Sequence, residues 1–163
     1  MIGMTTERLR FRAWELSDFD AIADFFKNET NARYVGGLKS AEESWRLMAT
    51  YLGHYQLLGY SYLAVETTNS QELIGTIGLW NSEPWPEPEL GYWLLPAYQG
   101  KGYAMEACQA ALAFAKKRQL PSLVSYIDQA NEPSKRLAIK LGAKLSGETN
   151  LLDFGVHQVY RYW

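Results

Sequence analysis

Cysteine is almost missing from this sequence. Cys108 is the single one in 163 residues, so no intrachain disulfide can form, which fits a reducing compartment. With His54 and His157 as the only histidines, no set of soft ligands for a zinc-type cluster exists, and no metal is expected. An excess of one charge is missing too. Sixteen Lys and Arg stand against eighteen Asp and Glu, a formal net charge of −2. That argues against the basic face needed to neutralise phosphates, so nucleic acid is not expected as a direct partner, and a local basic patch alone stays open. Long apolar runs and a signal-peptide pattern are lacking, which reads as a cytoplasmic chain without membrane contact. There are no repeats, low-complexity tracts or linkers, so residues 1–163 read as one domain. Hydrophobic residues are plentiful at 47%, enough for a full core without metals or disulfides. Six tryptophans and eleven tyrosines suggest a ring-lined pocket or interface as well as a core.

The pattern predicts an α/β order. "RLRFRAW" (Arg8 to Trp14) alternates apolar and basic residues, as a half-buried strand does. Ser17 is the expected N-cap of a helix that buries Phe19, Ile22, Phe25 and Phe26. Ser40 with Glu43 forms a capping box for a second helix through Trp45 and Met48, and Gly59 ends that region. "SYLAVE" and "ELIGTIGLW" read as a hairpin joined by "TTNSQ". Three prolines make "SEPWPEPE" (Ser82 to Glu89) a loop or edge segment. "ELGYWLL" is a strand, and a helix follows it. "SLVSYI" is a strand. "NEPSKRLAIKLGA" is a short helix capped by Asn131, with Pro133 in its first turn and Gly142 as its stop. "KLSGE" and "HQVYRYW" read as closing strands, and the aromatic end "VYRYW" suits a dimer edge. Such an order implies a mixed sheet with helices on its faces, and not a regular βαβ repeat.

Between the fourth strand and its helix stands "QGKGYA". A helix start has unpartnered N–H groups and a partial positive charge. Gly100 and Gly102 let the backbone approach a ligand closely, and Lys101 adds a full charge. The combination suits a phosphate or diphosphate. It is neither a Walker A loop nor a full dinucleotide fingerprint, whose third glycine position is here Met105. A tight ligand-free turn is the alternative that the glycines alone leave open.

The longer run "ELGYWLLPAYQGKGYAMEA" resembles motif A of the GNAT N-acetyltransferase superfamily, with Gln99, Gly102 and Ala104 at its Q/R-x-x-G-x-G/A positions. "NEPSKRLAIKLGAKLSGE" is similar to that family's N-x-x-S…K-x-G segment, and "ERLRFR" to the opening of the RimJ/RimL branch, which acetylates protein N-terminal amines. The resemblance implies a single-domain GNAT fold: a mixed, mostly antiparallel sheet flanked by helices, with a splayed strand pair for acetyl-CoA. It implies that Gln99, Gly100, Lys101, Gly102, Tyr103 and Ala104 hold the diphosphate. It further implies that Trp93, Leu94 and Asn131 line the pantetheine arm, with the Leu94 N–H near the thioester oxygen. The matching serine, Ser134, is the implied general acid to the coenzyme thiolate. The tyrosine that many relatives carry seven residues after the asparagine is here Ala138, a departure that favours Ser134 or a water.

Acetyl transfer to an amine also needs that amine neutral. Glu89, where many relatives place a carboxylate, is the candidate base, and His157 is a second by its ordinary range. The segment Asn81 to Trp93 offers Glu83, Glu87 and Glu89 beside Trp80, Trp85 and Tyr92, which suits a cationic acceptor. Cys108 reads as a small core residue. The expected acceptor is a protein or peptide N-terminal α-amine. Two alternatives stay open: acetylation of a small-molecule amine, and a CoA-binding regulatory module whose chemistry has lapsed.

Overall fold

In β1 (Leu9–Arg12) of the computed structural model, which describes residues 1–163, Leu9 and Phe11 are fully buried while Arg10 and Arg12 point to the other face. The basic residues are there because β2 (Tyr62–Thr67) sets Glu66 directly opposite Arg10. Glu66 is buried. It takes hydrogen bonds from Arg10 and, at 2.5 Å, from Arg12 Nε. Arg12 reaches on to Asp18 with both terminal nitrogens, at 2.6 and 2.8 Å. Asp18 in turn accepts the Glu15 N–H at 2.9 Å, and a 3-10 turn over Leu16–Asp18 leads into α1 (Phe19–Lys27). Asp18 and not Ser17 stands at the N-cap position of α1, and its carboxylate closes the preceding turn at Glu15 without a side-chain cap to α1.

α1 buries Ile22, Phe25 and Phe26, spaced as one helical face, while Phe19 stays at the edge against Trp45. A short α2 (Glu29–Ala32) follows. The Ser40–Glu43 box opens α3 (Ala41–Leu58) as expected, with both reciprocal hydrogen bonds made. β2, β3 (Leu73–Trp80) and β4 (Glu89–Leu94) form an antiparallel meander. Then come α4 (Tyr103–Lys117), β5 (Val124–Asp128), α5 (Glu132–Lys140), β6 (Lys144–Asn150) and β7 (Val156–Arg161). The seven strands make one sheet in the order β1-β2-β3-β4-β5-β7-β6, antiparallel except for β4 with β5. This is the expected mixed, mostly antiparallel sheet. The "VYRYW" run is not an edge, because β7 pairs on both sides and β6 is outermost.

The two faces carry different cores. On one, α1 and α3 pack Phe25, Phe26, Met48 and Tyr51 around Trp14 and Trp93. On the other, α4 lays Ala107, Cys108, Ala111 and Ala115 on Leu63, Val65, Ile77, Leu79 and Leu90. Small residues on that side of α4 let the helix sit close to the strands. No helix is long and apolar enough to cross a membrane.

The Glu66 network ties β1 and the entry to α1 to the sheet. Burial alone would raise the Glu66 carboxyl, but hydrogen bonds from Arg12 and Arg10 outweigh it and hold the group below its ordinary 4.5. A lowered carboxyl stabilises the fold above the unfolded value, and that stability goes as the pH falls through the folded value. Glu66→Gln is expected to lose about 2 kcal/mol in urea unfolding at pH 7. The gap to the unsubstituted protein should narrow progressively as the pH falls below the ordinary carboxyl value of 4.5.

Candidate active site

β4 and β5 touch at a single register pair, Glu89 opposite Val124, and part beyond it. The Leu90 carbonyl, left without a strand partner, accepts the Ser125 hydroxyl at 2.6 Å. The Ser125 oxygen lies 3.2 Å from the Tyr162 hydroxyl. Ser125 has spent its proton on Leu90, so Tyr162 is the donor in that contact. A cavity of about 290 Å³ fills the gap. Because strand residues alternate, it opens on both faces of the sheet. Glu89 and Trp93 point toward the α1/α3 face with Trp80, register partner of Glu89. Tyr92 points to the other face, where Cys108, Ser134, Ala138 and Tyr162 also line the cavity. Tyr92 thus stands across the sheet from Trp80 and Trp85, the two residues with which it was grouped as substrate-binding.

Glu89 is only 8% exposed, and the Trp85 indole donates to it at 3.0 Å. Tyr62, Gly78 and Gly91 stand in register across three strands. A Cβ at Gly91 would lie 2.3 Å from the Tyr62 hydroxyl, so the glycine is what lets that ring cross toward Glu89. Burial raises the Glu89 carboxyl to about 7, and the Tyr62 hydroxyl, the Tyr126 backbone N–H and the Trp85 indole limit the rise. Trp85 meets Tyr126 and Phe154 edge-on at 6.2 and 5.8 Å, and Trp80 stacks on His54 at 4.0 Å and on Tyr62 at 5.5 Å. Two buried polar atoms of cavity-lining residues, Trp93 Nε1 and Tyr126 Oη, have no protein partner. Glu87 is held by both terminal nitrogens of Arg161 at 2.7 Å, so its charge is already paired. Glu83 is exposed, which leaves Glu89 as the one acid of the proline-rich segment that lines the cavity. His157 also lines the cavity but pairs with Asp128, at the opposite end of β5 from Val124 and Glu89.

At the mouth of α4, Gly100 and Gly102 have φ of +73° and +82°, a region that side chains resist. The six amides from Gly100 to Met105 donate to no protein atom. Gln99 braces the turn by donating to the Leu94 carbonyl at 2.9 Å. Lys101 lies over the Tyr98 ring. Consecutive free amides at a helix start, beside a lysine, fit a diphosphate. Asn131 caps α5 through the Ser134 N–H at 3.3 Å, and both residues line the cavity. The Ser134 hydroxyl faces the Tyr92 phenol. Tyr162 packs against Ala138. Burial pushes the Cys108 thiol up to about 12, as suits an inert core residue. Tyr62 and Tyr126 were not singled out from the sequence. Gly91 in a strand was the available sign of a close approach.

The domain model described as an acetyltransferase (GNAT) domain matches residues 8–144. An acetyltransferase from Agrobacterium tumefaciens superposes with a TM-score of 0.90 at 32% identity, covering 98% of this chain and 93% of that one. The uncharacterized N-acetyltransferase YoaA of Bacillus subtilis is 28% identical over 148 residues, 88% of this chain and 84% of that protein. RimL, a ribosomal L7/L12 α-N-protein acetyltransferase solved with coenzyme A, shares the fold with a TM-score of 0.79 at 21% identity, over 99% and 97% of the two chains.

The buried Glu89 makes a stability signature. Its folded value of about 7 lies above the ordinary 4.5, so the neutral form is the one the fold favours. That contribution is complete below about pH 4.5 and is lost as the pH rises through about 7. Glu89→Gln keeps an acceptor for Trp85 and removes the titration. It is expected to match the unsubstituted protein near pH 4.5 and to exceed it by up to about 3 kcal/mol at pH 8, read from urea unfolding at the two pH values.

Proposed function

The chain belongs to the GNAT acetyltransferase family, and on that premise we propose that it moves the acetyl group of acetyl-CoA to the α-amine of a peptide or protein N-terminus, with Glu89 as the base. The observation that carries this reading is the position of Glu89, buried at the point where β4 and β5 part and raised to about 7. An amine reaches the site mostly as ammonium and reacts only as the free base. An α-amine titrates near ~8, so passing its proton to Glu89 costs about 1–2 kcal/mol. A lysine amine near ~10.4 costs about 4–5 kcal/mol for the same step. The carboxylate is therefore matched to an α-amine. Trp80 and Trp85 stand beside Glu89 as aromatic walls for the cation.

Acetyl-CoA supplies an activated acetyl thioester. The free amides of Gly100, Lys101, Gly102, Tyr103 and Ala104, with the Lys101 charge and the Gln99 brace, would hold its diphosphate. Trp93 and Leu94 on the parting strand, with Asn131, would line the arm. Ser134, across the sheet from Glu89, would return a proton to the sulfur. Proton removal and proton return then stand on opposite faces of the sheet and meet in one cavity. The activity that RimL's name records is consistent with an α-amine acceptor.

A compact small-molecule amine is the second reading, and the roof of the cavity favours it. The Tyr34 hydroxyl reaches the Ala130 carbonyl at 3.4 Å, and Phe154 leans on Trp85. Release of free CoA thiol, followed over pH with peptides differing only in a free or blocked N-terminus and with small amines in parallel, separates the readings. Faster turnover of free N-termini is expected, with kcat falling below about pH 7. In Glu89→Gln that limb should vanish and kcat drop by about 10²–10⁴-fold. Equal rates on blocked, lysine-containing peptides would reject the N-terminal acceptor, and turnover of small amines alone would establish the second reading. No turnover of any amine would leave the lapsed CoA-binding module.

A further inference from the structure

Arg8 does not line the cavity and stands in no motif assigned to the chemistry, yet it reaches the loop before α4. Its Nε donates to Glu106 Oε2 at 2.6 Å, and its backbone N–H to Glu106 Oε1 at 2.8 Å. Thr6 Oγ1 donates to the same carboxylate at 2.5 Å. The other end of the guanidinium, Nη1, donates to the Lys101 carbonyl at 3.1 Å. The guanidinium lies 4.5 Å from the centre of the Tyr103 ring, and a Cβ built on Gly102 would stand 3.4 Å from Nη2. Glu7, Arg8, Gly102, Met105, Glu106 and Gln109 form a small polar hollow there.

Two consequences follow from this geometry. The Lys101–Gly102 peptide is trans, since the single cis bond in the chain is Glu83–Pro84. In a trans peptide the carbonyl and the next N–H point in opposite directions. By holding the Lys101 carbonyl, Arg8 fixes the aim of the Gly102 N–H, which donates to no protein atom. Glu106 is also a carboxylate in the first turn of α4, where it would repel a diphosphate. Arg8 covers that charge. Both tasks need a planar fork with donors at two ends, which lysine does not have.

We propose that Arg8 is a positioning residue for the donor site: it clamps the Gly100–Gly102 turn to the first turn of α4 and so aims the amides that bind the diphosphate of CoA. The proposal rests on the donor assignment above. A positioning role toward the diphosphate separates from a general structural role by comparing CoA with pantetheine, which lacks the diphosphate and the nucleotide. Calorimetric titration of each into the unsubstituted protein, Arg8→Ala and Arg8→Lys is the test. In both variants the Kd for CoA is expected to rise at least tenfold, while that for pantetheine changes less than twofold. Equal weakening toward both ligands would make Arg8 a plain fold contact. An unchanged CoA affinity in Arg8→Ala, or full recovery in Arg8→Lys, would overturn the clamp. Unsubstituted protein that binds no CoA at all would remove the donor assignment itself, and the proposal with it.

Discussion

β4 and β5 run parallel and hold one another at one residue pair, Glu89 with Val124, before they separate. The rest of the site follows from that separation. Two parted strands expose backbone groups that a sheet normally pairs, and buried unpaired groups are costly. The chain answers with side chains. Ser125 takes the Leu90 carbonyl, and Tyr162 donates to Ser125 in turn. The same separation opens a cavity through the sheet, so successive residues of one strand serve opposite faces. Glu89 serves one and Tyr92 the other. A proton acceptor and the hydroxyls of Ser134 and Tyr92 are kept apart by the strand itself, not by distance along a loop.

Glu89 differs in its environment from the carboxylates that arginines hold. Structural carboxylates in this chain are saturated by arginines: Glu66 by Arg10 and Arg12, Glu87 by Arg161, Glu106 by Arg8. Each of those is held below its ordinary value. Glu89 is buried without a cation and is raised, and the groups that reach it are an indole, a phenol and an amide. A buried ionisable group in such a place lowers stability above its folded value, a pattern that marks functional sites.

Local signals were the legible part of the sequence. The Ser40–Glu43 box, the Asn131 cap and the glycine pair before α4 each act within a few residues, so spacing alone found them. Alternation found β1 and its buried Leu9 and Phe11. Ser17 was taken as a cap because nothing near it revealed that Arg12, itself fixed by Glu66 of β2, would hold Asp18 and with it the turn that starts α1 one residue later. Arg8 was hidden for a similar reason, since Glu106 and Lys101 lie more than ninety residues away along the chain. Tyr92 could not be assigned to a face by composition, because the face depends on strand register. The closing aromatic run looked like an edge, and only the pairing of β7 with both β5 and β6 places it inside the sheet.

The most direct test is the titration of Glu89 itself. Carbon NMR of protein labelled at the glutamate side-chain carboxyl carbons, followed from pH 3 to 9, reads each carboxyl separately. One glutamate is expected to titrate near pH 7, with its signal absent from Glu89→Gln. A spectrum in which every glutamate has ionised by about pH 5 would contradict the assignment of Glu89 as the base at the parting of the strands.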